Sequence, residues 1–137
     1  MGNAQEVITL GDRRNKGKGQ VTSKAADNKN QIVVGQDAVE LLTQSWTQQE
    51  NWHVVSKTLI NGSASIDLNL EIFFTLDNVL LDQTYKQHIN QGYNSTSINK
   101  LFKDLKSGIH KLVVTAKTDT GNFTIDISNS NQVITYK

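Results

Sequence analysis

The sequence predicts a mainly β protein, an antiparallel sandwich with one or two short helices and an extended N-terminal arm. Three observations carry that expectation. Leu112, Val114 and Ala116 alternate with Val113, Thr115 and Lys117, and Ile66, Leu68, Leu70, Ile72 and Phe74 alternate with Asp67, Asn69, Glu71 and Thr75; period two is the signature of a half-buried strand. Turn residues punctuate these runs, at Asn61-Gly62, Asp77-Asn78 and Asp119-Thr120-Gly121-Asn122. The composition is 36% apolar against an average of about 45–50% that counts glycine, and the surplus is Asn, Gln, Ser and Thr. That balance suits sandwich surfaces and extended arms better than a compact enzyme.

Residues 1–30 are read as an extended basic arm and residues 31–137 as the sandwich domain. Val7, Ile8 and Leu10 form a short apolar patch, and Gly11–Asn30 then has no apolar period. Between Gly11 and Lys29 lie Arg13, Arg14, Lys16, Lys18, Lys24 and Lys29 against Asp12 and Asp27. The segment therefore carries 6 − 2 = +4, and the rest of the chain +1 − 4 = −3. Burial within the arm cannot offset its ordering entropy, so its order is expected to come from outside the chain.

Within the domain, Gln31–Gly35 is a short strand. Asp37 caps an expected helix to about Trp46, with Val39, Leu42 and Trp46 on one face, although a strand here competes closely. Trp52 opens a strand that runs towards Ile60, and Asn61-Gly62 signals a hairpin. Ser63–Leu76 is the longest strand pattern; Phe73 interrupts its polar face, so part of that face is expected to be covered. Val79–Leu81 begins another strand, and Tyr85–Asn94 reads as a loop. Ser97 caps an expected short helix, Ile98–Lys106, and Gly108 stands where a helix C-terminus wants positive φ. A strand from Leu112, a hairpin at Gly121-Asn122 and a final stretch from Phe123 to Tyr136, bent near 129–131, complete the domain.

The stretch LKSGIHKLVVTAKTDTGNFT, residues 105–124, with FFTLDN at 73–78, resembles bacterial and phage Ig-like domains over roughly residues 52–137. The first segment is similar to their last hairpin, and the second to their third strand and turn. The chain departs from that family in lacking cysteine, proline and a buried tryptophan on the third strand, which leaves the subtype open. The resemblance implies an Ig-like sandwich, and with the basic arm it resembles an accessory virion protein of a tailed phage.

No residue pattern points to catalysis. His53, His88 and His110 have no metal-type spacing, and nucleophile-elbow, phosphate-loop and zinc-protease motifs are absent. Asp67, Glu71, Asp77, Asp82 and Asp119 sit at strand edges and turns, where Asp serves local hydrogen bonding. Asp77, Asp119 and Asn122 do not match a calcium loop. No catalytic residue, metal or cofactor is expected. No apolar run is long enough to cross a membrane and no signal segment is read.

The expected function is non-enzymatic. The protein reads as an auxiliary capsid, head or neck component of a virion, assembled in the host cytoplasm. Its expected partners are other copies and neighbouring structural subunits, foremost a major capsid protein. The expected contact residues are Val7, Ile8, Leu10, Arg13, Arg14, Lys16, Lys18 and Lys24, the apolar three adding a strand to a neighbour's sheet edge. An alternative is a cell-surface glycan-binding module, with Trp46 or Trp52 as platforms. A third reading is non-specific nucleic-acid binding by the arm, which lacks the interleaved aromatics that stacking on single strands needs.

Overall fold

A computed structural model describes residues 19–24, 31–81 and 84–136. They form eleven strands: β1 Gly19–Lys24, β2 Ile32–Val34, β3 Val39–Gln48, β4 Trp52–Ala64, β5 Leu68–Leu76, β6 Val79–Leu80, β7 Tyr85–Ile89, β8 Gly92–Leu105, β9 Gly108–Thr118, β10 Phe123–Ile125 and β11 Asn131–Tyr136. One 3₁₀ turn, Ile127–Asn129, separates β10 from β11. The first sheet runs β1-β11-β4-β10-β2, with β8 on the other side of β4. The second runs β3-β9-β5-β6, with β7 also on β5. The strand pairs within both sheets are antiparallel.

From β3 to β11 the chain changes sheet at most connections; only β5, β6 and β7 in the second sheet, and β10 and β11 in the first, follow one another within one sheet. This alternation is the winding of a jelly roll, which closes two sheets over one core. The inner faces supply that core. Leu42, Leu70, Ile72, Phe74, Leu112, Val114 and Ala116 come from the second sheet, and Val34, Val54, Ile60, Phe123 and Ile134 from the first. A polar seam crosses it: Gln132 Nε2 donates to Thr58 Oγ1 at 2.9 Å, and Gln44 Nε2 to the Gln132 carbonyl at 3.5 Å. Ser56 Oγ and Gln132 Oε1, both buried there, have no hydrogen-bond partner among the described residues.

Both expected helices are strands; a β-bulge explains the first misreading, and an outward-facing apolar residue ahead of a second bulge explains the other. In β3 the register against β9 shifts between Glu40 and Leu42, so Leu41 and Leu42 both point inward. Past the bulge, Leu42, Gln44, Trp46 and Gln48 bury with period two. The 39, 42, 46 spacing spans that phase change and imitates a helix face. In β8, Phe102 pairs with Val54 but Leu105 with Trp52, and Asp104 takes φ 56° at the extra residue. Ile98 and Phe102 point inward, whereas Leu101 is 50% exposed on the opposite face. Gly108 does adopt positive φ, at 124°, but at a strand-to-strand corner.

Other expectations also shift. Asn61-Gly62 lies within β4 rather than in a hairpin. A Cβ on Gly62 would collide with the Thr124 carbonyl and approach the Phe123 ring at 2.8 Å, so glycine is required by the close approach of β10. Ile66 stands before β5 in a bend, 46% exposed, rather than in line with Leu68. Residues 85–94 are not a loop but contain β7 and the start of β8. Asp77 and Asn78 take φ 51° and 69°, the pair of positive values a tight hairpin turn needs, and join β5 to β6. At 119–122 only Gly121 has positive φ. β9 and β10 lie in opposite sheets, so this turn links the sheets and the expected last hairpin does not exist.

Candidate functional site

Of the expected contact residues, Val7, Ile8, Leu10, Arg13, Arg14, Lys16 and Lys18 lie outside the described residues. Lys24 is the last residue of β1, opposite Asn131. The structure corrects one part of the arm reading. Gly19–Lys24 does not depend on a neighbour for its order, because it pairs along β11 from Gly19 opposite Tyr136 to Lys24 opposite Asn131. Backbone hydrogen bonding supplies what apolar burial could not, and a sequence without apolar period gives no sign of it.

Gly19 lies opposite Tyr136, which pairs with Val54, and Trp52 pairs with Leu105. The chain therefore enters β1 at the end of the sandwich that carries the β3–β4 and β8–β9 connections. That end is rigidly tied. The Trp46 indole donates to Gln48 Oε1 at 3.1 Å, and Gln48 Nε2 donates to the carbonyls of Leu105 at 2.8 Å and Glu50 at 3.1 Å. Trp46 is thereby a core residue rather than a sugar platform; the Trp52 side chain lies outside the described residues.

His110 sits beside Trp46, its ring 5.7 Å away. It is 8% exposed, with Nδ1 2.7 Å from Asp77 Oδ2 and Nε2 2.6 Å from the Lys106 carbonyl. Burial pushes against the charged ring, but the Lys106 carbonyl and the Asp77 carboxylate together outweigh it and hold the pKa above the ordinary value. Asp77 Oδ1 also accepts from the Lys111 amide at 2.8 Å. With both nitrogens within hydrogen-bond distance of Asp77 and the Lys106 carbonyl, His110 acts as a clamp between two turns, and both nitrogens are engaged inside the protein. The spacing of the histidines gave no sign of this, because the partners of His110 are 4 and 33 residues away in the chain and neither is a histidine.

The opposite end holds a cleft of about 610 Å³ against the outer face of the second sheet. Asn69 on β5 fixes its floor: its amide donates to Asp119 Oδ1 at 2.9 Å and its Nδ2 to Asp119 Oδ2 at 2.8 Å. These bonds hold the Asp119 carboxyl below the usual range. His88 Nδ1 lies 3.2 Å from Asn69 Oδ1. Gln36 Nε2 donates to the Gly121 carbonyl at 2.9 Å and Thr118 Oγ1 at 3.2 Å. Glu71 and Lys117 pair at 3.9 Å along the wall.

The carboxylates read from the sequence do not assemble. Asp77 belongs to His110, Asp67 accepts from the Gln91 amide at 2.7 Å, and Asp119 is held by Asn69. Asp82 lies outside the described residues. Asp77 and Asp119 flank opposite ends of β9, so no calcium site can form from them with Asn122. Among the described residues no group of three His, Asp or Glu is placed to hold a metal, and no helix is long and apolar enough to cross a membrane.

Two antiparallel sheets wound in this alternating order define the class as a jelly-roll-like β-sandwich. No family model matches the chain, and no curated protein matches it. Solved structures are similar in fold. Eiger TNF from S. frugiperda is 13% identical, with a TM-score of 0.59 over 89% of this chain and 94% of that one. A chain of infectious bursal disease virus, Gx strain, is 13% identical, with a TM-score of 0.56 over 86% of this chain and 33% of that one. The insecticidal delta-endotoxin Cry8Ea1 from Bacillus thuringiensis is 7% identical, with a TM-score of 0.53 over 88% and 24%. This chain thus spans a third or less of the virus and toxin chains. At such identities the likeness is one of fold alone. These likenesses are to jelly-roll-like sandwiches, and none supports an Ig-like bacterial or phage domain in particular.

Proposed function

We propose that the protein is a non-enzymatic structural component of a virion, an auxiliary capsid, head or neck protein of the tailed-phage kind. The part of its arm ahead of β1, residues 1–18, reaches onto neighbouring subunits while the sandwich is displayed on the surface. The observation that carries this reading is the pairing of β1 with β11. In this reading β1 is the arm's anchor, and Val7, Ile8, Leu10, Arg13, Arg14, Lys16 and Lys18 precede it in the sequence. The charge division of +4 within residues 11–29 and −3 elsewhere makes one copy's arm complementary to another copy's body, and equally to an acidic neighbouring capsid subunit. The fold likeness to a virus chain supports the same reading. Each contact is weak, and the shell gains its strength from many copies acting together.

Sedimentation velocity of the full chain at about 50 mM and about 500 mM salt tests it, because screening shortens over that range. Self-association at low salt should disappear at high salt and in a variant carrying Arg13→Glu, Arg14→Glu, Lys16→Glu and Lys18→Glu. Unchanged association in that variant, or a monomer under both conditions, contradicts a charge-led arm contact.

A further inference from the structure

We propose that the cleft bounded by Gln36, Asn69 and Asp119 is a binding site for a neutral, polyhydroxylated ligand, a saccharide. Its volume of about 610 Å³ falls in the range of small-ligand sites. Its polar groups are held in place before any ligand arrives. Asn69 spends its backbone and side-chain donors on Asp119 and its Oδ1 on His88, so three side chains are fixed as one unit. Gln36 uses its amide nitrogen on Gly121 and Thr118, which orients Oε1 as an acceptor. Side chains fixed in this way lose little entropy on binding, which is the usual weakness of polar recognition.

The charges decide the ligand class. Glu71 and Asp119 are balanced by Lys86 and Lys117, all four lining the same cleft. Equal and interspersed charges give no field that would draw an anion or a cation, and they offer donors and acceptors side by side. A row of hydroxyl groups, each both donor and acceptor, matches that surface; a phosphate, a carboxylate or an amine does not. The cleft also stands at the end of the sandwich opposite the base of β1, where a subunit held by its arm would expose it. The inference does not depend on the arm, because the sandwich alone builds the cleft.

Titration of the ¹⁵N-labelled full chain with maltohexaose, cellohexaose and chitohexaose at millimolar concentration, with sialyllactose as the anionic comparison, tests the proposal. One of the neutral oligosaccharides should give saturable shifts at the amides of Asn69, His88 and Asp119. His88→Ala and Asp119→Asn, with otherwise unchanged spectra, should each weaken that binding about tenfold. Three results overturn it: no neutral oligosaccharide moving these amides, sialyllactose alone moving them, or shifts that persist at full affinity in both variants. Failure here would leave the sedimentation result standing, so the two readings are separable.

Discussion

His110 shows how one residue can couple stability to pH. Its folded pKa lies above the ordinary value of 6.5, so the folded state binds a proton that the unfolded chain releases more readily. The stability this contributes is fully present below about pH 6.5 and is lost as pH rises through the folded pKa. Denaturant midpoints should therefore fall from pH 6 towards pH 8 in the wild type, whereas His110→Gln should be flat over that window. A wild-type curve as flat as the variant's would show that the ring is not charged in the clamp. Two further positions test packing. Gly62→Ala forces a Cβ onto the Thr124 carbonyl and the Phe123 ring and should lower stability by about 1–3 kcal/mol. Ser56→Ala removes a fully buried hydroxyl that has no partner among the described residues and should be neutral or stabilising by up to about 1 kcal/mol, read by the same denaturant midpoints.

At the scale of elements, strands with uninterrupted alternation were legible. β5 from Leu68, β9 and the Asp77-Asn78 turn appear where the period and the turn residues place them. The two failures differ in detail. In β3 a bulge shifts the phase of the inward side chains, so 39, 42 and 46 acquire helix-like spacing. In β8 the inward residues 98 and 102 keep period two, and the outward apolar Leu101, with Leu105 past a bulge, completes a helix-like pattern. Short-range pattern cannot separate that from a helix face, because the partner strand that fixes the register lies far away in sequence. β1 was illegible for a related reason: it is ordered by the edge of β11 rather than by its own side-chain pattern. Deleting residues 1–18 should leave the thermal midpoint unchanged. Deleting residues 1–24 should lower it by several degrees and promote aggregation, because the β11 edge is then bare. Equal midpoints for the two deletions would mean that β1 adds nothing to the sheet.

For the whole molecule, the sandwich was legible in the sequence and its winding was not. Alternation shows that a strand has one buried face but not which sheet it joins. The segment 105–124 could therefore be read as a hairpin although its two strands lie in opposite sheets. The cleft was equally hidden: Gln36, Asn69, His88 and Asp119 come from four separate segments and meet only when the second sheet forms. The uneven charge, +4 within residues 11–29 and −3 elsewhere, was plain from the sequence, and the structure adds only that residues 19–24 pair with β11. The central claim is that the arm reaches a neighbouring subunit, and carboxyl-to-amine cross-linking of a mixture of ¹⁴N- and ¹⁵N-labelled chains tests it most directly. Mixed-isotope links from Lys16 and Lys18 to acidic residues of the sandwich are the predicted result. Links confined to a single isotope would mean that the arm folds onto its own sandwich, and would contradict the account.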